Sequence, residues 1–194
     1  MGHIGRADME AKPAEIWTIG HSTRSIGEFT DLLRANRIRI LADVRRFPGS
    51  RRHPHFGSEA LAEALRSAGI AYQHLPELGG RRTVQTDSPN TAWRNAAFRG
   101  YADYMGTKAF RLGIEKLLVL AQQERTVMMC AEALWWQCHR SLISDYLKAE
   151  GHTVWHILSS DEPTLHPFSG AARLVNGKLS YRAAESQREL PLPR

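Results

Sequence analysis

Residues 126–140 read TVMMCAEALWWQCHR. The run is apolar or β-branched up to Cys130, breaks at Ala131 and Glu132, and then turns amphipathic toward Cys138, His139 and Arg140. A short apolar run feeding a segment of helical period is how a buried parallel strand entering a helix looks in sequence. The stretch predicts a strand from Thr126 to Cys130 and a helix from Glu132 to Ala149, stopped by Gly151. In such a unit the strand's carboxyl end meets the helix's amino end at the rim of the sheet, where open α/β folds bind ligands. Cys130 falls at that junction. The free N–H groups of the first helical turn favour a thiolate there, and Arg140 favours it further if it folds back.

The same unit recurs upstream. Ile16 to Ile19 reads as a strand ended by Gly20, His21 and Ser22, and Ser25 to Glu28 has capping-box spacing for a helix reaching Ala35. Ile38 to Val44 is a second strand, closed by Asp43 and Arg45 and followed by the turn-rich FPGSRRHPHFG. Ser58 caps a helix with an apolar stripe of Leu61, Ala64, Leu65 and Ala68, stopped by Gly69. Ile70 to Leu75 is the third strand, and a polar segment of about 20 residues follows, a length typical of lids, binding loops or disorder. Helical spacing resumes over Phe98 to Met105 and Lys108 to Gln123, ahead of the strand that ends in Cys130. Thr153 to Leu158 is the fifth strand, and Asn176-Gly177 marks a two-residue hairpin turn.

These elements predict an α/β fold: a single three-layer domain over residues 15–182, with a mostly parallel five-stranded sheet, helices on both faces and a small C-terminal β-hairpin. Residues 1–14 read as a disordered leader and 183–194 as a frayed tail. With 194 residues, 42% of them hydrophobic, the chain has enough material for one ordinary core. No window approaches the ~18 apolar residues of a membrane span, which excludes a helical membrane protein and points to the cytoplasm. Two cysteines, without the many more of a disulfide scaffold, fit a reducing compartment. A net charge of +6 attracts anionic partners, either a small molecule or a nucleic acid.

Three strands end in polar residues at one rim: His21 and Ser22, Asp43 and Arg45, Cys130 and Glu132. If the strands are neighbours, their exits share a pocket. There Cys130 is a nucleophile, a metal ligand or a small buried hydrophobe, and Glu132 and His139 are acid/base candidates. Asp43 requires a partner, Arg45 or His21, or else it is a structural ion pair. On the predicted helix His139 lies about 10 Å beyond Glu132. Loop arginines Arg45, Arg46, Arg51, Arg52, Arg81, Arg82, Arg94 and Arg99, with Tyr101 and Arg140, are candidates for holding the anion, against a plain solvated basic surface. Trp135 and Trp136 read as core aromatics or, alternatively, as a platform for a base. A metal alternative uses Cys130, Cys138 and His139, with His21, His53 or His55 as fourth ligand. Adjacent Cys138 and His139 would diverge by about 100° on a helix, which counts against it. The glycine-free, helical interval between Cys130 and Arg140 does not match a phosphatase loop.

The ordered motifs TIGHS, DVR-x-FP-x-SRR-x-PHF, HLPELGGRR, SPNTAWRN-x-x-FRGYADYM and MCAE…CHRSLI strongly resemble the bacterial family called domain of unknown function 488, across most of residues 15–181. The resemblance implies a compact α/β domain with a mostly parallel sheet, and no settled reaction. Motif positions that carry over are His21, Ser22, Asp43, Arg45, Pro48, Ser50, Arg51, Arg52, Phe56, Gly79, Gly80, Arg94, Arg99, Tyr101, Cys130, Glu132, Cys138, His139 and Arg140. One departure bears on where the helix begins: AEALWWQ lacks the proline expected before its tryptophan.

The expectation is a thiol- or acid/base-dependent hydrolase or transferase acting on a phosphate-bearing substrate. Its rivals are a non-catalytic nucleic-acid-binding module and a metal-dependent enzyme. Cofactor and oligomeric state are left open.

Overall fold

The strand and helix signals assemble into one sheet covered on both sides. A computed structural model describes residues 12–49 and 53–184. The strands are β1 (Glu15–Gly20), β2 (Ile40–Asp43), β3 (Ala71–His74), β4 (Thr126–Cys130), β5 (Thr153–Ile157) and β6 (Thr164–Leu165), in the order β3-β2-β4-β1-β5-β6. The five expected strands are parallel, and β6 adds a sixth, antiparallel strand at the β5 edge. Two residues with no alternation gave that edge no signature in sequence. The C-terminal hairpin forms as expected from β7 (Arg173–Val175) and β8 (Lys178–Ser180), with Asn176 and Gly177 at φ 52° and 75°.

Among the described residues five helices close the layers: α1 (Ile26–Ala35), α2 (Ser58–Ser67), α3 (Ala96–Met105), α4 (Lys108–Gln123) and α5 (Arg140–Ala149). The Ser25 hydroxyl accepts from the Glu28 N–H and the Glu28 carboxylate accepts from the Ser25 N–H, so the capping box starts α1. Helices α1 and α2 put Phe29, Leu33, Leu61 and Leu65 on one sheet face with Ile19, Leu41, Val127 and Met129. Helices α3, α4 and α5 put Tyr101, Phe110, Leu117, Leu142 and Leu147 on the other with Ile16, Ala42, Met128 and Val154. Strand alternation thus supplies two separate cores from one sheet.

The helix predicted from Glu132 begins eight residues later. Residues 131–134 are irregular, Trp135–Gln137 form one 3-10 turn, Cys138 is extended at φ −131° and ψ 151°, and α5 starts at Arg140. The reason lies at Gly20, where a Cβ would meet the Glu132 carbonyl oxygen at 1.8 Å. That close approach, with the Ser22 N–H donating to the Ala131 oxygen at 2.8 Å, holds the chain extended as it leaves β4.

The 76–94 segment carries only the 3-10 turn Pro76–Leu78, yet α3 pins it throughout. The Tyr101 hydroxyl donates to the Leu78 oxygen at 2.7 Å, and the Arg82 guanidinium lies 3.6 Å over the Tyr104 ring. Asp103 accepts from the Gln85 N–H, the Ser88 hydroxyl and the Asn90 amide. Among the described residues no helix is long and apolar enough to cross a membrane.

Candidate functional site

Strand β2 hands the chain to β3 on one side, while β4 hands it to β5 on the other. The two are neighbours, so their exits diverge and leave a crevice, the switch point at which open α/β sheets bind ligands. A cavity of about 300 Å³ opens there. The β2 exit contributes Arg45, Arg46 and Phe47, the β4 exit contributes Cys130 and Glu132, and Cys138 and His139 come from the two residues just before α5. Gly80, Arg81, Phe98 and Tyr101 complete the wall.

The early break after β4 draws the reactive groups together. Cys130 Sγ lies 3.0 Å from Glu132 Oε2 and 3.9 Å from His139 Nδ1, and Cys138 Sγ lies 3.5 Å from the same nitrogen. The helical separation expected between Glu132 and His139 therefore does not hold. His139 Nε2 sits 3.1 Å from the Val44 carbonyl, which can only accept, so the ring donates there and Nδ1 carries its lone pair toward the sulfurs. The helical interval used to set a phosphatase loop aside is likewise not helical, though it stays glycine-free.

The two thiols ionise unequally. Burial opposes a Cys138 thiolate, but the Cys130 thiol, His139 and Arg140 outweigh it and draw its pKa well below the usual range. Cys130 is pushed well above that range by its hydrogen bond to Cys138 and by burial. Burial also opposes a charged His139, and the Cys138 charge beside it raises the pKa nonetheless. Arg140 reinforces the pattern. It is 1% exposed, bonds only to the Thr18 hydroxyl and to the Glu132 and Ala133 carbonyls, and has no carboxylate partner among the described residues. A buried cation in that position stabilises a nearby thiolate.

The other expected site residues lie elsewhere. Asp43 is fully buried and bonds Arg45 through both carboxylate oxygens, with the Tyr72 hydroxyl donating at 2.9 Å. His21 packs behind Arg45, stacked 4.2 Å from the Phe56 ring and donating through Nδ1 to the Ser22 oxygen. Burial lowers its pKa to about 4. Both residues stand on the α1/α2 side, so the three strand exits do not share one hollow. The Ser22 N–H supports the β4 exit from beside it.

Among the described arginines only Arg45, Arg46 and Arg81 line the cavity. Arg94 borders a second hollow, Arg99 donates to the Trp93 oxygen at 3.0 Å, and Arg51 and Arg52 lie outside the described residues, as does Ser50. Trp135 stacks 4.2 Å from His156.

Sequence reasoning left two features unassigned. Arg46 was one of many loop arginines, with nothing in its spacing to set it apart. The other is a buried relay in which the Thr18 hydroxyl meets His156 at 2.7 Å, His156 meets His166 at 2.8 Å, and His166 meets Asp145 at 3.1 Å. Its members are more than 100 residues apart in part, and no local pattern marks them.

Among the described residues, one group of His, Cys, Asp and Glu side chains has metal-ligand spacing: Cys130, Cys138 and His139, with ligand atoms within 4.8 Å of one another. His21 is no fourth ligand, because it lies across the sheet and bonds Arg45.

No curated protein and no solved structure matches the chain. A family model does, over residues 25–147, a span running from the α1 cap to α5 and including Asp43, Arg45, Cys130, Glu132, Cys138, His139 and Arg140. The chain, an α/β protein built around this crevice, belongs to the family described as Domain of unknown function DUF488.

Proposed function

We propose that the chain is a small enzyme, a hydrolase or transferase, acting on an anionic phosphate-bearing substrate in the β2/β4 crevice. The observation that carries this reading is convergence. Two thiols, an imidazole and a carboxylate meet in one cavity, beside Arg46 and Arg81, which have no carboxylate partner among the described residues. Guanidinium forks match phosphate oxygens bidentately, and a cavity of this size suits a small molecule. Phe47, 65% exposed at the mouth, offers a ring on which a nucleobase can stack. A nucleotide, or the end of a nucleic acid, combines those two features. In this reading Cys130, Cys138 and His139 form the reactive centre, and Glu132, exposed at the rim, moves the proton. Arg45, held by Asp43, shapes the floor.

Calorimetric titration with inorganic phosphate and with nucleoside mono- and diphosphates tests it. The expected result is binding that weakens with salt and drops at least tenfold in the Arg46→Ala, Arg81→Ala double variant. Equal affinity in wild type and double variant, or no binding of any of these anions at low salt, overturns the reading. Retained binding of oligonucleotides by that double variant would instead favour the non-catalytic module.

A further inference from the structure

We infer that Cys130, Cys138 and His139 form a site for a thiophilic divalent cation of the zinc class, with the fourth position opening into the cavity beside Glu132. The inference deepens the proposed function, taking from it only the position of the reactive centre.

Spacing is the first argument. Zinc binds thiolate sulfur at about 2.3 Å and imidazole nitrogen at about 2.0–2.1 Å in a tetrahedron, which separates sulfur from nitrogen by about 3.6 Å. Here the two sulfur-to-Nδ1 distances are 3.9 and 3.5 Å. Disulfide formation would need no imidazole at that spacing, and a lone catalytic thiol would need no second sulfur.

Orientation is the second argument. The His139 Nε2–H donates to the Val44 carbonyl, which fixes the ring and turns the Nδ1 lone pair inward. Metal-ligating histidines are held this way by an outer carbonyl or carboxylate. The divergence expected of adjacent helical residues is absent, because Cys138 is extended and precedes α5. The Ser141 hydroxyl, 2.9 Å from the Cys138 oxygen, steadies that bend.

Charge is the third. A divalent cation, two thiolates and the Glu132 carboxylate sum to one negative charge, and buried Arg140, which has no carboxylate partner among the described residues, balances it. Three protein ligands with an open fourth position is the catalytic rather than the structural pattern for zinc. A water or a substrate oxygen would occupy that position, within reach of Glu132 and facing Arg46 and Arg81.

The test uses the reduced, untagged chain, with cobalt(II) as probe. The expected result is one equivalent bound, with thiolate-to-cobalt charge-transfer absorption and the intense visible bands of a tetrahedral site. Cys138→Ser and His139→Ala should each weaken binding by more than the roughly 10–100-fold cost of losing an outer-shell partner. Variants are compared only where circular dichroism shows a wild-type fold. A measurement that needs no variant accompanies them: zinc should slow alkylation of both cysteines in the wild type. No charge-transfer band with both thiols reduced, a band of unchanged intensity and affinity in Cys138→Ser, or alkylation indifferent to zinc overturns the site. Phosphate titrations on metal-free protein keep the two readings apart. Anion binding without cobalt binding sinks the metal site alone, and the reverse sinks the anion reading alone.

Discussion

Asp43 and Cys130 leave adjacent strands at the same rim and face opposite sides of the sheet. Asp43 pairs in register with Met129, so Cys130 is one position out of phase with it. The carboxylate serves Arg45 and Tyr72 on the α1/α2 side, and the sulfur serves the cavity on the other.

Asp43→Asn should therefore act on stability first. It strips Arg45, 6% exposed, of its counter-charge, and breaking a buried pair by removing one partner costs about 3–5 kcal/mol. Urea unfolding would register this. A loss below about 1 kcal/mol would mean that Arg45 finds compensation.

Gly20→Ala should distort the cavity from outside it. The new Cβ would strike the Glu132 carbonyl at 1.8 Å and Ala133 Cα at 2.9 Å, backbone atoms that cannot swing aside. The expected result is a loss of about 2 kcal/mol or more together with weaker cobalt and phosphate binding. Gly49→Ala, with nothing among the described residues within 4 Å of the added carbon, serves as the control and should stay within about 0.5 kcal/mol of wild type.

Stability should fall on acidification below neutral. Burial, then His166 and Arg140, lowers the His156 pKa to about 2 from an ordinary 6.5. Between those values the unfolded chain holds a proton that the folded chain lacks, so folding is favoured at higher pH and loses ground as pH drops below 6.5. His156 alone contributes a slope of up to about 1.4 kcal/mol per pH unit. Denaturant midpoints from pH 7 to pH 5 check this, and His156→Gln should flatten the curve.

Asp103→Ala should loosen the 85–90 turn without unfolding the domain. The carboxylate holds Gln85, Ser88 and Asn90 at 2.9, 2.5 and 2.8 Å. Limited proteolysis should show faster cleavage in that turn with the thermal midpoint lowered by only a few degrees.

The alternating strands and helices were legible because each carried its own periodicity, and the Ser25 capping box and the Asn176-Gly177 turn appear where local chemistry put them. The α5 boundary was not legible. Ala133 to Gln137 has good helix formers and no breaker, and the constraint comes from Gly20, over a hundred positions earlier. The thiol, imidazole and carboxylate cluster was read from its residues, but His21 and Asp43 were placed with it by treating strand ends as equivalent. Counting parity along β2 and β4 requires their register, which only pairing reveals.

The strand order also governs when the cavity can exist. Strand β4 lies between β1 and β2, although both precede it by more than eighty residues. Until Thr126–Cys130 is in place, the edges of β1 and β2 that pair with it lack their native partner strand. Both sulfurs belong to that closing segment or follow it, so the reactive chemistry is delivered by the same event that seals the sheet.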